Sequence, residues 1–251
     1  MVSPAPAPSG PPPAPVAARY RIRYARRGRM RFSSTRDFAR ALERALRRAG
    51  VPMAFSAGFH PHPKISYAGG APTGMASEAE YFEIGVTRPL NPEQLRADLD
   101  AALPDGLDVL EVVAAAGGSL PEMLQASAWV IEFPDVEPAA LRDALTRLAA
   151  APQVRVTRTF KNGPKELDVR AALIEIQAGA EGGYAILHLV VRHTTPAVRP
   201  DDVLSALRTT AEFVPPRPPR VTRLAQGPWD GDSALVADPL AADKNAAATS
   251  G

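Results

Sequence analysis

From Arg19 the chain alternates strictly. Tyr20, Ile22 and Tyr24 face one way and Arg19, Arg21 and Arg23 the other, which is the period of a strand with one apolar face. "RRG" turns the chain, and "RMRF" repeats the alternation, predicting a strand with Met30 and Phe32 inward. "SSTRD" then opens a helix, with Ser33 or Ser34 as N-cap and Asp37 in its first turn. Phe38, Leu42, Ala45, Leu46 and Ala49 make that helix's apolar stripe, and Gly50 is placed to end it.

Strands at about 64–68 and 79–87, a helix at 92–103 entered through "NPEQL", and a strand at 107–114 complete a β-α-β-β-α-β order. After a short helical stretch near 119–125 the order recurs. "SAWVIEF", "QVRVTRTF", "DVRAALIEIQ", "YAILHLVVRH" and "RVTRLA" read as strands, and "EPAALRDALTRLAA" and "RPDDVLSALRTT" as helices. No residue-level repeat accompanies this. The expected architecture is α+β, two ferredoxin-like α/β sandwiches in tandem: a basic domain over 19–118 and a second domain over 119–225. Residues 1–18 hold seven prolines and no charged side chain and predict a disordered arm; 226–251 reads as a second disordered tail, with Trp229 placed to pin its start.

Charge changes this picture. The net charge is +2, but between Arg19 and Gly70 stand 13 Lys+Arg against two acids, Asp37 and Glu43, a local net of +11 that leaves −9 elsewhere. So lopsided a segment predicts an anionic partner. With the tyrosines turned to the helices, Arg19, Arg21, Arg23, Arg29 and Arg31 are expected on the free sheet face. Arg36, Arg40, Arg44 and Arg48, spaced by four, drift along one side of the first helix. An open sheet face suits single-stranded RNA better than duplex DNA. The chain has no cysteine, which excludes disulfides, thiolate metal sites, a cysteine nucleophile and a cluster held by its own thiolates. No stretch approaches the ~20 apolar residues of a membrane span. No secretory signal is read at the N-terminus, so a cytoplasmic location is the default expectation.

"GFHPHPKIS" carries the densest candidate chemistry. In an extended segment His60 and His62 project to the same side, Pro61 and Pro63 stiffen it, and Lys64 stands beside them. Four readings stay open: a metal site, an acid/base pair acting on an RNA 2′-hydroxyl, a clamp for phosphate or carboxylate, and a stiff crossover with hydrogen-bonded histidines. For metal, Glu78, Glu80 or Glu83 would have to add a carboxylate, and nothing in their spacing points at the histidines; no metal and no cofactor are expected. "GGAPTGMAS" has Walker-like glycines, but Met75 replaces the lysine. "KNGPKELDVR" brings Lys161, Lys165 and Arg170 around a tight turn, with Asp168 breaking the run, and also reads as an ordinary hairpin loop.

The stretch from "RYRIRYARRG" through "GFHPHPKIS" to "EAEYFEI", with "KNGPKELDVR" as a second landmark, resembles the radical-SAM-linked family of bacterial proteins, a domain of unknown function. The resemblance covers most of 19–225 and implies association with a separate radical-SAM enzyme or a shared pathway; it implies no reaction. It departs at "RFSSTRD", where relatives tend to carry a histidine after the serine and Thr35 stands here. By residue-level match, His60, Pro61, His62, Lys64, Lys165, Asp168 and Arg170 are the positions to test.

These readings converge on a non-catalytic accessory protein that binds RNA or another polyanion beside a radical-SAM or RNA-processing enzyme. The alternatives are a metal-independent phosphodiesterase using His60, His62 and Lys64, and a protein-interaction module without nucleic acid.

Overall fold

Strand β1 (Ala18–Arg26) does what its alternation predicts: Tyr20, Ile22 and Tyr24 are buried in one core. The computed structural model describes residues 13–249, so most of the proline-rich arm lies outside the described residues. Pairing begins slightly earlier than expected, with the Ala17 N–H donating to the Val86 carbonyl at 2.8 Å. "RMRF" is not a strand. Gly28–Phe32 forms a 3₁₀ turn in which Met30 N–H bonds the Arg27 carbonyl and Ser33 N–H the Met30 carbonyl. Four alternating residues after a turn carry too little periodicity to choose between the two conformations, and Phe32 stays exposed.

Helix α1 (Thr35–Arg48) starts at Ser34, whose hydroxyl accepts from the Asp37 N–H while the Asp37 carboxylate reaches back, a capping box. It stops where Gly50 turns the chain at φ +63°. Phe38, Leu42 and Leu46 face β1, as the stripe predicts. Then come β2 (Ile65–Ala68), β3 (Ala76–Val86), α2 (Pro92–Ala102), β4 (Leu107–Ala114) and the short α3 (Leu120–Met123). The second half runs β5 (Ala126–Phe133), α4 (Pro138–Ala150), β6 (Arg155–Phe160), β7 (Gly163–Asp168), α5 (Val169–Ala172), β8 (Leu173–Glu181), β9 (Tyr184–Arg192), α6 (Pro200–Ala211) and β10 (Arg220–Gly227).

These strands build one eight-stranded mixed sheet, an α+β architecture. Its path is β4-β1-β3-β10-β5-β9-β8, with β2 added beside β3. The first half has the spatial order β4-β1-β3-β2 and the second β10-β5-β9-β8, the same order with β6 and β7 set aside as a separate hairpin. "DVRAALIEIQ" is therefore not one strand; its first residues are the end of β7 and α5. Each half buries its own helix-covered core. Tyr20, Phe82 and Leu99 belong to the first; Ile131, Leu141, Leu189 and Val203 to the second. The halves are joined where β10 pairs in parallel with Ala76 and Ser77 of β3.

The opposite face of the first half-sheet is not free. After a short hairpin, β11 (Trp229–Asp230) and β12 (Leu235–Val236), helix α7 (Ala241–Thr249) lies near β4, and Leu240 packs with Leu120, Leu124, Tyr81 and Val113. The expectation of a loose tail from 226 fails on this contact. It fails on charge too. Arg21 is 1% exposed, and its Nη1 donates to both Asp243 oxygens at 3.0 and 2.8 Å. Its Nε donates to Glu83 at 3.1 Å, and its Nη2 to the Gly117 and Gly118 carbonyls at 2.6 and 2.7 Å. A guanidinium taken out of water is tolerated only when its donors are met, and these partners meet them.

Asp243→Ala should therefore cost about 3 kcal/mol of stability, while Arg21→Met combined with Asp243→Leu should cost far less, because no charge is then left buried alone. Urea unfolding of the three proteins measures both; equal losses in single and double variants would contradict the pairing.

Candidate functional site

The expected arginine face divides when its side chains are followed individually. On β1, Arg19 pairs with Glu83 at 3.1 Å, Arg21 is buried, and half-buried Arg23 donates to the Glu78 carbonyl at 2.9 Å. Arg21 is thus no part of an open surface, and Arg19 and Arg23 are already engaged. Just beyond, Arg27 binds Glu78 and, at 2.7 Å, Asp108; these carboxylates hold its guanidinium well above the ordinary range, the Glu78 hydrogen bond contributing most. The acidic remainder of the chain neutralises this side of the patch.

Helix α1 is different. Arg36, Arg40 and Arg44 are exposed, and no ion pair engages them among the described residues. At 100° per residue, the 36, 40, 44 and 47 positions fall on one outward face opposite the buried stripe. Arg40 and Arg36 help hold the Asp37 carboxyl below its usual value, after the larger effect of its bonds to Ser34. Only Glu43 interrupts the row. Arg29 is exposed as well, and the half-buried Arg31 lies over the Phe32 ring, 4.7 Å from its centroid.

The histidine loop flanks this helix. Phe55 pairs with Pro63, the Ser56 N–H donates to the His62 carbonyl at 2.9 Å, and the His62 N–H donates to Ser56 Oγ at 3.0 Å. Lys64 N–H donates to the Ala54 carbonyl at 2.8 Å. The loop is thus a stiff, hairpin-like projection, with His60, His62 and Lys64 exposed and Phe59 at its tip, 64% exposed. Between it and α1 is a groove of about 410 Å³ whose lining includes Leu46, Arg47, Met53, Phe55 and His62. Phe32, Phe55 and Phe59 are exposed, and alternation could not announce this because they lie in loops and a 3₁₀ turn.

No group of three or more His, Asp or Glu side chains suited to a metal exists among the described residues. Each acid considered with the histidines is engaged elsewhere: Glu78 with Arg27, Glu83 with Arg19 and Arg21, and Glu80 with Arg223. "KNGPKELDVR" is the β6–β7 hairpin. Lys161, Lys165 and Arg170 are exposed, with the Lys165 ammonium 5.6 Å from the Phe160 ring centroid. Asp168 is half-buried and caps α5 by accepting from the Ala171 N–H at 3.1 Å, so it has a structural task. Val156, Leu167 and Val169 root the hairpin in the second core, whereas Met53 and Ile65, beside the histidine loop, pack on the first.

At the junction of the halves is a buried polar cluster that no local pattern announces. Arg223 Nη2 binds Glu80, Nη1 donates to the Gly69 carbonyl at 2.6 Å, and Nε donates to Ser77 Oγ at 3.2 Å. Its guanidinium lies 5.3 Å from the Trp129 ring centroid. Gln226 donates to the Ala79 carbonyl at 2.6 Å. Close by, His193 Nδ1 donates to the Leu124 carbonyl at 2.7 Å, which leaves Nε2 to accept from Ser127 Oγ at 2.6 Å. Burial lowers the His193 pKa, outweighing that carbonyl bond.

Since the folded protein resists protonating His193, the unfolded chain takes up that proton first as pH falls. Stability should drop below about pH 6.5, the ordinary histidine value, and continue falling toward the lower folded value. Urea unfolding between about pH 7.5 and about pH 5.5 should show a shallower loss for His193→Gln; identical slopes would remove His193 as a source.

No curated protein matches this chain. A family model described as an uncharacterised protein conserved in bacteria (DUF2344) matches residues 19–200. Among solved structures, an unknown protein from Galdieria sulphuraria is similar at 14% identity, covering 78% of this chain and 92% of that one, with a TM-score of 0.24. DyPB from Rhodococcus jostii RHA1 is similar at 12% identity, covering 79% and 84%, with a TM-score of 0.21. Both scores are too low to carry fold or function across. No helix among the described residues is long and apolar enough to cross a membrane.

Proposed function

We propose that this chain, which belongs to the family of uncharacterised proteins conserved in bacteria, is a non-catalytic accessory protein which binds single-stranded RNA. The binding surface is the outer face of α1 together with the histidine loop. The observation that carries this reading is the exposed, unpaired row Arg36, Arg40 and Arg44 beside a projection bearing Phe59, His60, His62 and Lys64. Cations along a helix track phosphates, and exposed aromatic rings give successive bases a stacking surface without sequence preference.

In this reading each half is a ferredoxin-like sandwich, and their shared strand order supports it. The protein acts in the cytoplasm beside a separate radical-SAM or RNA-processing enzyme, as the sequence resemblance implies. The imidazoles and Lys64 hold phosphate as donors. Among the described residues no acidic group is bonded to either histidine to set it up as a base.

Labelled single-stranded RNA incubated with the full chain in chelator should be retained uncleaved, with log affinity against log salt falling by about 0.7 per phosphate neutralised. Arg36→Glu, Arg40→Glu and Arg44→Glu together should abolish retention, whereas Arg19→Glu, already paired with Glu83, should change it little. Phe59→Ala should weaken binding about tenfold, alike for different sequences. Cleavage lost on His60→Ala or His62→Ala would instead select the phosphodiesterase, and absence of binding at low salt would leave a protein-interaction module.

A further inference from the structure

A second site lies beneath the start of α1. A cavity of about 220 Å³ opens between α1, β1 and the segment after β2, and its lining includes Tyr24, Arg26, Thr35, Phe38, Tyr67 and Glu80. Its walls are ordered by aromatic contacts: Tyr24 stacks on Phe38 at 4.6 Å with an interplanar angle of 3°, and Tyr67 meets Phe38 edge-on at 5.9 Å.

The polar groups here are under-used. Arg26 is 6% exposed, and only its Nη2 is committed, donating to the Ala71, Pro72 and Met75 carbonyls at 2.7, 3.0 and 3.4 Å. Its Nε is buried with no partner, the sole such side-chain atom among the described residues. Tyr24 is 5% exposed, and its hydroxyl has no hydrogen-bond partner among the described residues. An orphaned buried donor costs about 1–3 kcal/mol, so the Arg26 Nε, with the Tyr24 hydroxyl unpaired on the same cavity wall, calls for a missing acceptor.

Charge says which kind. Glu80 is already matched by Arg223, leaving Arg26 without an acidic partner. Thr35, the first residue of the 14-residue α1, is part of the lining, so the positive end of that helix lies at the cavity wall. Asp37 is drawn back onto Ser34. Burial and the Glu80 carboxylate raise the Tyr24 pKa, and burial pushes Tyr67 up to about 12, so both hydroxyls stay protonated as donors. A guanidinium, two phenols, a threonine hydroxyl and a helix N-terminus form a donor set with an uncompensated positive charge.

We propose that this cavity receives the oxyanion headgroup, phosphate or carboxylate, of a small molecule. The site is separate from the outer arginine row and does not depend on RNA binding. Thr35, on the cavity wall, contributes a hydroxyl to the headgroup.

Calorimetric titration of the full chain with inorganic phosphate, and separately with acetate, against chloride at constant ionic strength tests this. Saturable one-to-one binding of either is expected, and the stronger of the two identifies the headgroup. Tyr24→Phe removes a hydroxyl that bonds no group among the described residues, so the variant should fold with unchanged or higher stability while anion affinity falls about tenfold or more. Thr35→Val should weaken it in the same direction. The variant carrying Arg36→Glu, Arg40→Glu and Arg44→Glu should lose RNA and keep the anion, which separates the two sites. No saturable heat from either anion, or binding indifferent to Tyr24→Phe, overturns the proposal.

Discussion

Strand β3 has one edge to share between two partners, and the molecule is organised around how it does so. Of its eleven residues, Tyr81–Ile84 are taken by β2, and Ala76 and Ser77 by β10. Two residues of parallel pairing are a weak join. What fixes it is the Arg223–Glu80 ion pair and the surrounding carbonyls, hydroxyl and amide. Burying these charges is tolerable only if every donor is met, so a slip between the two half-sheets would strand a guanidinium and a carboxylate in a dry interior. Gly69 takes part because it has no side chain: a Cβ there would come within 2.4 Å of the Gln226 amide oxygen.

The positive excess of the N-terminal segment separates into three environments. Arg21 and Arg26 are buried and hold backbone carbonyls, Arg21 carboxylates as well. Arg19, Arg23 and Arg27 meet Glu83 and Glu78 along the strand edges. The α1 row, with Arg29 and Lys64, is both exposed and without an ion pair among the described residues. Formal charge along a chain counts these three alike, although only the last can attract a polyanion over a Debye length. The acids that offset Arg19, Arg21 and Arg27 come from β3, β4 and α7, far along the sequence.

Local periodicity carried most of the elements. Tyr20, Ile22 and Tyr24 declare their side of β1 because a strand repeats every two residues, and the Ser34–Asp37 cap reads directly because its parts are three residues apart. The histidine loop also projects as the prolines suggest. What could not be read is long-range: Arg21 meets a residue 222 positions away, and Arg223 finds Glu80 across 143. The exposed phenylalanines escaped for another reason. A lone aromatic in a loop looks the same whether it packs inward or out, and only the fold decides. Sequence reads Tyr24 as core and Arg26 as charge, although both line the cavity and the Arg26 Nε has no partner there among the described residues.

The clasp between Arg21 and Asp243 orders events in time. On the ribosome, at about 5–20 residues per second, β1 emerges on the order of ten seconds or more before the helix that completes it. Until then its central guanidinium stays hydrated, and one sheet face stays open to the surrounding medium. A stretch translated 222 positions later is thus the one that seals the first strand, and maturation of the N-terminal half waits on its arrival.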